Sequence, residues 1–237
     1  MKSSSRPLLY TYRRCPYAMR ARMALLVANI AFDAHDIILR DKPAAMLAIS
    51  PKGTVPVLVL PDDQVLEQSW DIVQWALSHQ QASAEAKSWW SRAQTPDNLE
   101  LLHCNDGDFK HHLDRYKYPE RFAVEDSTGG GDKAIGHRDQ AVAVLLEPLE
   151  QRLAQQPFLG GTQPCATDVG IFPFVRQFAA INPAWFENLP LWNIKRWLAD
   201  WLQSPLFEAC MHKLPSNVAE PFPMAIKKSP LAHLHRL

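Results

Sequence analysis

The stretch Leu8–Leu25, LLYTYRRCPYAMRARMAL, decides how the rest of the chain is read. Its apolar and aromatic start predicts a short strand over RPLLYTY, residues 6–12. A helical pattern then runs over 16–29, with Pro16 in the first turn, where its missing N–H leaves no bond unmade. Cys15 thus stands at the amino end of a helix, with Arg13 and Arg14 beside it. A helix dipole and guanidinium groups both favour a thiolate, and such settings lower a cysteine pKa from about 8.5 into roughly the 3.5–7.5 range. The same residue also reads as a small apolar side chain buried between strand and helix. Position alone leaves both readings open.

Working outward, AFDAHDIIL (31–39) reads as a second strand and KPAAMLAIS (42–50) as a short helix stopped by Pro51 and Gly53. TVPVLVL (54–60) is a third strand, PDDQ a turn, VLEQ (65–68) a fourth strand, and SWDIVQWALSHQ (69–80) a helix with Ser69 as its N-cap and Asp71 in its first turn. The order is βαβ, α, ββ, α. From about residue 85 the strand signals fade, and four long segments carry apolar residues at helical spacing. EDSTGGGDK (125–133) reads as a loop, and the prolines from Pro215 onward exclude a long regular helix. The composition shift at 80–95 divides the chain into residues 1–82, residues 90–215, and an extended Pro-containing tail, 216–237.

The chain has 237 residues, 47% hydrophobic and 21% charged, within the range of soluble globular proteins. Lysine and arginine total 25 and so do aspartate and glutamate; this balance argues against a nucleic-acid or anionic-membrane partner. No apolar run approaches the roughly 18–20 residues that span a bilayer, and no secretory pattern opens the sequence, so a cytoplasmic location is expected. Cys15, Cys104, Cys165 and Cys210 are scattered, without zinc-like or C-x-x-C spacing.

Two further motifs bear on the thiol. In GTVPVL (53–58) a proline interrupts a β-rich run and belongs at an edge or a special backbone site; a cis Val55–Pro56 bond would turn the Val55 backbone outward to an extended ligand, and an ordinary trans edge proline is the alternative. In EQSW (67–70) a helix start offers free N–H groups to a carboxylate, with Gln68 and Ser69 beside them, although plain capping also explains Ser69.

A strand, CPYA at a helix start, a Val-Pro strand and then Gln-Ser before a helix: in this order the motifs resemble the glutathione transferase family, and most closely its cysteine-containing, omega-like and glutaredoxin-like members. The resemblance covers most of the chain. It implies an α/β thioredoxin-like N-terminal domain followed by an all-α C-terminal domain, and glutathione as co-substrate with its sulfur at Cys15. It implies further that the Val55 backbone before Pro56 meets the cysteinyl part, that Gln68 and Ser69 hold the γ-glutamyl end, and that Lys42 meets the glycine carboxylate. Tyr12, Phe109 and Tyr116 become candidates for an acceptor pocket, with helix packing as their competing role. The expected activity is a thiol transfer or reduction through a protein–glutathione mixed disulfide. Ala18 stands where a dithiol enzyme has its resolving cysteine. Alternatives are conjugation activated by Tyr10 or Tyr12, and a non-catalytic ligand- or protein-binding module.

Two positions depart from the family pattern. Gln68 stands where many cysteine-type members have an acid, with Glu67 one residue earlier. Cys165 stands three residues before Asp168, where the family's second domain has a serine or threonine cap, so the helix entry leans on Asp168. His103, His111 and His112 lack the spacing of a catalytic zinc site, and no metal is expected. The family leans to homodimers, but no self-complementary patch can be picked out in this chain.

Overall fold

The computed structural model describes residues 5–122 and 133–224. The loop expected at 125–133 lies outside them but for Lys133, as does the tail beyond residue 224. Contacts divide the molecule into two units: one takes the described residues up to Ser91 and from Asp200 onward, the other is Arg92–Ala199. The division crosses the chain inside two helices, between Ser91 and Arg92 and between Ala199 and Asp200, whereas the sequence places the helical domain at 90–215.

The first unit is built on β1 (Leu8–Thr11), α1 (Pro16–Val27), β2 (Asp33–Asp36), α2 (Ala44–Ile49), β3 (Val57–Val59), β4 (Val65–Leu66), α3 (Ser69–Ser78) and α4 (Ala84–Arg92). The second unit holds α5 (Pro96–Cys104), α6 (Lys110–Lys117), α7 (Pro119–Phe122), α8 (Lys133–Ala141), α9 (Glu147–Gln155), α10 (Ala166–Ala179) and α11 (Pro183–Glu187). Then come α12 (Trp192–Leu202), which crosses the division, and α13 (Pro205–Cys210) and β5 (Ala219–Pro221), which belong to the first unit. Wide π-turns at Asn105–Phe109 and Val142–Leu146 join α5 to α6 and α8 to α9 into longer helical runs.

The sheet order is β4-β3-β1-β2-β5. β1 runs parallel to β2, as the intervening α1 requires, and antiparallel to β3. Tyr10, Ile37, Met46 and Val57 form a cluster on one face. The opposite-pointing Leu9, Ala34 and Leu58 are equally buried, so both faces are covered. β5 differs from the expected tail: it pairs antiparallel with β2, Ala34 opposite Glu220. Its fit is fixed by Phe222, whose N–H donates to Phe32 O at 2.9 Å and whose ring stacks on Phe32 at 4.9 Å.

α1 is buried on nearly every side. α3 packs along it, and α13 packs along it too. A helix enclosed in this way normally carries only apolar residues, yet Arg20 and Arg22 are both within 1% of full burial. What they bond to defines the site.

Candidate active site

Cys15 is the N-cap of α1, with extended backbone and Pro16 in the first turn. The tight turn before it is closed by the Cys15 N–H, which donates to Tyr12 O at 3.0 Å. The turn is fastened on two sides. Arg13 N–H donates to Asp36 Oδ1 at 3.0 Å. From beneath, Arg22 donates to the Thr11 hydroxyl, to Tyr12 O at 3.4 Å and to Arg13 O at 2.7 Å, while its Nε donates to Cys210 O at 3.0 Å. The acceptors of Arg22 are all neutral, so its guanidinium is solvated by oxygens; the carboxylate at this turn is that of Asp36, on the Arg13 N–H.

The thiol is half-buried, and its Sγ lies 3.7 Å from Val55 O, to which it can donate. The Val55–Pro56 bond is cis. Val55 sits outside the paired register of β3, which begins at Val57, and its N–H meets no acceptor among the described residues. The sequence-predicted Cys15, Val55 and Pro56 therefore come together, with an open backbone donor next to the thiol.

Ser69 corrects the expected cap. It is the first residue of α3, and Gln68 is the cap, exposed and extended. The Ser69 oxygen is taken by a different donor: the buried Arg20 Nη1 at 3.1 Å. A hydroxyl that accepts from a cation keeps its own proton to donate. The Arg20 guanidinium also lies 5.5 Å from the Tyr17 ring centre and 5.7 Å from that of Trp70.

Glu67 does not replace the missing acid. Its carboxylate accepts from the Ser50 hydroxyl at 2.5 Å and lies 3.9 Å from Lys52 Nζ, whose ammonium also donates to Glu67 O at 2.7 Å. Lys42 reaches the loop before Val55: a β-carbon on Gly53 would sit 3.3 Å from its Nζ. Gly53 has φ +62°, a conformation in which side chains are strained.

The tyrosines and the pocket candidates take other places. Tyr10 is 5% exposed, its ring 5.3 Å from that of His35, and burial pushes its hydroxyl pKa up. Burial in this cluster makes Tyr10 a core residue. Tyr12 packs against the Tyr10 cluster. Phe109 is fully buried against Phe178 at 5.7 Å, so it belongs to the core of the second unit and lines no open pocket. Tyr116 also meets Phe178, at 5.5 Å.

Cys165 caps α10 but is wholly buried, and that burial, with Asp168 beside it, pushes its thiol up. Asp168 carries the helix entry as expected: it accepts from Cys165 N–H at 2.8 Å, Leu159 N–H at 3.0 Å and Trp197 Nε1 at 2.9 Å. Burial raises its carboxyl pKa and these donors oppose the rise. A β-carbon on Gly160 would lie 2.5 Å from Gln163 O, so only glycine fits this entry turn. Cys104 is raised by burial and by Asp108, and donates to Val144 O at 3.0 Å.

Arg20 and Arg22 escape the sequence reading. The only signal is that they are the two charges in a helix otherwise free of them.

Comparison with known proteins agrees with this layout. The family model described as the glutathione S-transferase N-terminal domain matches residues 9–84, and that of the C-terminal domain matches residues 133–204. Glutaredoxin 2 of Escherichia coli (strain K12) is 24% identical over 187 residues, covering 73% of this chain and 85% of its own length. Two solved structures share the fold. A Pseudomonas fluorescens glutathione transferase family member with two glutathione bound has TM-score 0.67 at 18% identity, covering 87% of this chain and 92% of that one. The transferase URE2P6 of Phanerochaete chrysosporium, in complex with oxidized glutathione, has TM-score 0.68 at 17% identity, covering 89% and 96%.

Proposed function

The chain belongs to the glutathione transferase family, and from that premise we propose that it is a glutathione-dependent thiol transferase working through the single sulfur of Cys15. The observation that carries this reading is the pairing of the half-buried Cys15 thiol, at a helix start, with the open backbone of Val55 at 3.7 Å. A peptide-like ligand hydrogen-bonded to Val55 has its own cysteine brought to that sulfur. The likeness to a protein named glutaredoxin 2, and to a structure holding oxidized glutathione, supports disulfide chemistry over conjugation.

In the proposed cycle the Cys15 thiolate attacks the glutathione sulfur of a mixed disulfide R–S–S–G. The S–S bond of R–S–S–G breaks, R–S⁻ leaves and takes a proton from solvent, and Cys15–S–S–G remains. The thiolate of a second glutathione attacks the glutathione sulfur of that adduct, forming oxidized glutathione and restoring the Cys15 thiolate. Ala18, buried one turn along α1, offers no second sulfur to intercept the adduct, so the second glutathione is obligatory.

The ligand's ends would be held by the groups around the thiol. Ser69, its oxygen engaged by Arg20, donates its proton to the γ-glutamyl carboxylate beside the unbonded N–H groups of the α3 start, and Gln68 adds its amide. Lys42, poised over Gly53, meets the glycine carboxylate. Because Glu67 is engaged by Ser50 and Lys52, the ligand's ammonium is met by Gln68 without a charge pair.

Intact mass after treatment with oxidized glutathione should show one glutathione adduct on the wild type and none at this site in Cys15→Ser. Turnover of a glutathionylated substrate should fall on the order of 10³-fold or more in that variant. Full turnover in Cys15→Ser refutes the reading.

A further inference from the structure

The second unit gathers three histidines that the sequence does not gather. His111 and His112 are neighbours at the start of α6, and His137 comes from the middle of α8, which packs along it. His112 Nδ1 and His137 Nδ1 are 2.8 Å apart. The His111 ring centre is 5.0 Å from that of His112 and 5.8 Å from that of His137. One ring nitrogen from each lies within 4.8 Å of the other two. His103, the third histidine suggested by sequence proximity, is exposed and absent from the group.

We propose that His111, His112 and His137 form a binding site for one divalent transition-metal ion of the Zn²⁺, Ni²⁺ or Cu²⁺ kind, apart from the glutathione site. Imidazole nitrogen is a preferred ligand for these ions and a poor one for Mg²⁺ or Ca²⁺. A tetrahedral ion with metal–nitrogen bonds of about 2.0–2.1 Å holds its ligands roughly 3.3 Å apart. The close His112–His137 pair needs to open by about half an ångström and the widest separation to close by about 1.5 Å, movements within reach of histidine side-chain torsions. Two nitrogens at 2.8 Å share one proton, Nδ1–H on one ring donating to Nδ1 of the other. When the ion enters between them that ring changes tautomer, its proton passing by way of solvent to Nε2. Both rings stay neutral, and no oxidant or reductant is involved.

The surroundings define the site further. His111 is exposed and the other two are half-buried, so an ion reaches them from solvent and keeps a water as fourth ligand. The π-turn at Asn105–Phe109 ends two residues before His111, and the one at Val142–Leu146 begins five residues after His137. Such wide turns are frequent at functional sites because they shift the facing of the next helical turn. The nearby charges are mixed. Asp108 acts on His112 as a counter-charge; Arg115 Nη1 contacts His111 Nδ1 at 3.1 Å, leaving Nε2 for the ion. Lys110 is paired with Asp114 and Arg138 with Asp139.

The test is equilibrium dialysis of the full chain against Zn²⁺ alone, with thiols blocked by iodoacetamide in a parallel sample. One ion should bind per chain whether or not the thiols are blocked. His112→Ala and His137→Gln should each weaken binding at least 10-fold, and His103→Ala should not. Zn²⁺ should raise the thermal midpoint of the wild type and leave that of His137→Gln unchanged, while without metal the two melt alike. Absence of binding, equal binding by the double variant His112→Ala/His137→Gln, or loss of binding on thiol blocking alone overturns the site. Glutathione turnover measured in the same His137→Gln protein should be unchanged, which keeps this test separate from that of Cys15.

Discussion

Two helices of this molecule begin with a cysteine in extended backbone, Cys15 before α1 and Cys165 before α10. By local sequence either could be the thiolate, since both stand at the positive end of a helix dipole. Their surroundings separate them. Cys15 is half-buried, beside an open backbone donor and above a turn that a buried guanidinium underpins. Cys165 is fully buried beside a carboxylate, and both conditions disfavour its charged form. A helix start is thus insufficient to activate a thiol: burial and the adjoining Asp168 push the Cys165 thiol up despite it.

Three substitutions can break or sharpen that contrast. Asp168→Ala should have the largest effect on stability. It leaves the N–H groups of Leu159 and Cys165 and the indole of Trp197 without their buried acceptor, a loss of about 3–5 kcal/mol that denaturant unfolding would measure. A loss below 1 kcal/mol would mean that water reaches these donors. Arg22→Met should come next. It keeps the volume but removes the donors to Thr11, Tyr12, Arg13 and Cys210, costing about 1–3 kcal/mol. It should also slow formation of the Cys15 adduct roughly tenfold, one pKa unit being about 1.4 kcal/mol. The readout is the pH profile of alkylation at Cys15, which moves upward if the buried charge acts on the thiol and stays put if Arg22 is structural only. Cys165→Ser should do least. A serine hydroxyl is the better cap, so stability should change by less than about 1 kcal/mol and glutathione adduct formation by nothing measurable. A loss of the adduct in this variant would reverse the assignment of the two cysteines.

Much of the first unit was legible because its signals are local. A strand, a Cys-Pro helix start and a Val-Pro strand each follow from side chains within a few residues, and their order gave the family. Ser69 was read one position off. The cap role was inferred from the serine's own chain neighbours, but its oxygen is claimed by Arg20, 49 positions away in sequence. Arg20 and Arg22 lie two apart in α1, so they leave the helix in different directions, one to Ser69 and one to the turn. Nothing in local patterning tells such buried arginines from solvated ones; their burial comes from α3 and α13, which pack along α1. The same holds for β5, three residues ending in a proline without alternation, and for His137, which only the packing of α8 on α6 brings to His112. The acceptor-pocket role for Phe109 failed because an aromatic at helical spacing fits a core equally well, and Phe178 supplied that core.

The pairing of β5 with β2 has a consequence for how the protein is made. Ala34 leaves the ribosome 186 residues before its partner Glu220. Synthesis at roughly 5–20 residues per second puts about 10–40 seconds between them. Over that interval β2 is an edge strand with its backbone donors and acceptors exposed, a template for pairing with other chains. Arg22 likewise waits for the Cys210 carbonyl that completes its bonds beneath the thiol-bearing turn. The first unit therefore stays incomplete until the distant β5 segment is made, and Cys15 leaves the ribosome long before the Cys210 carbonyl that helps to anchor its turn.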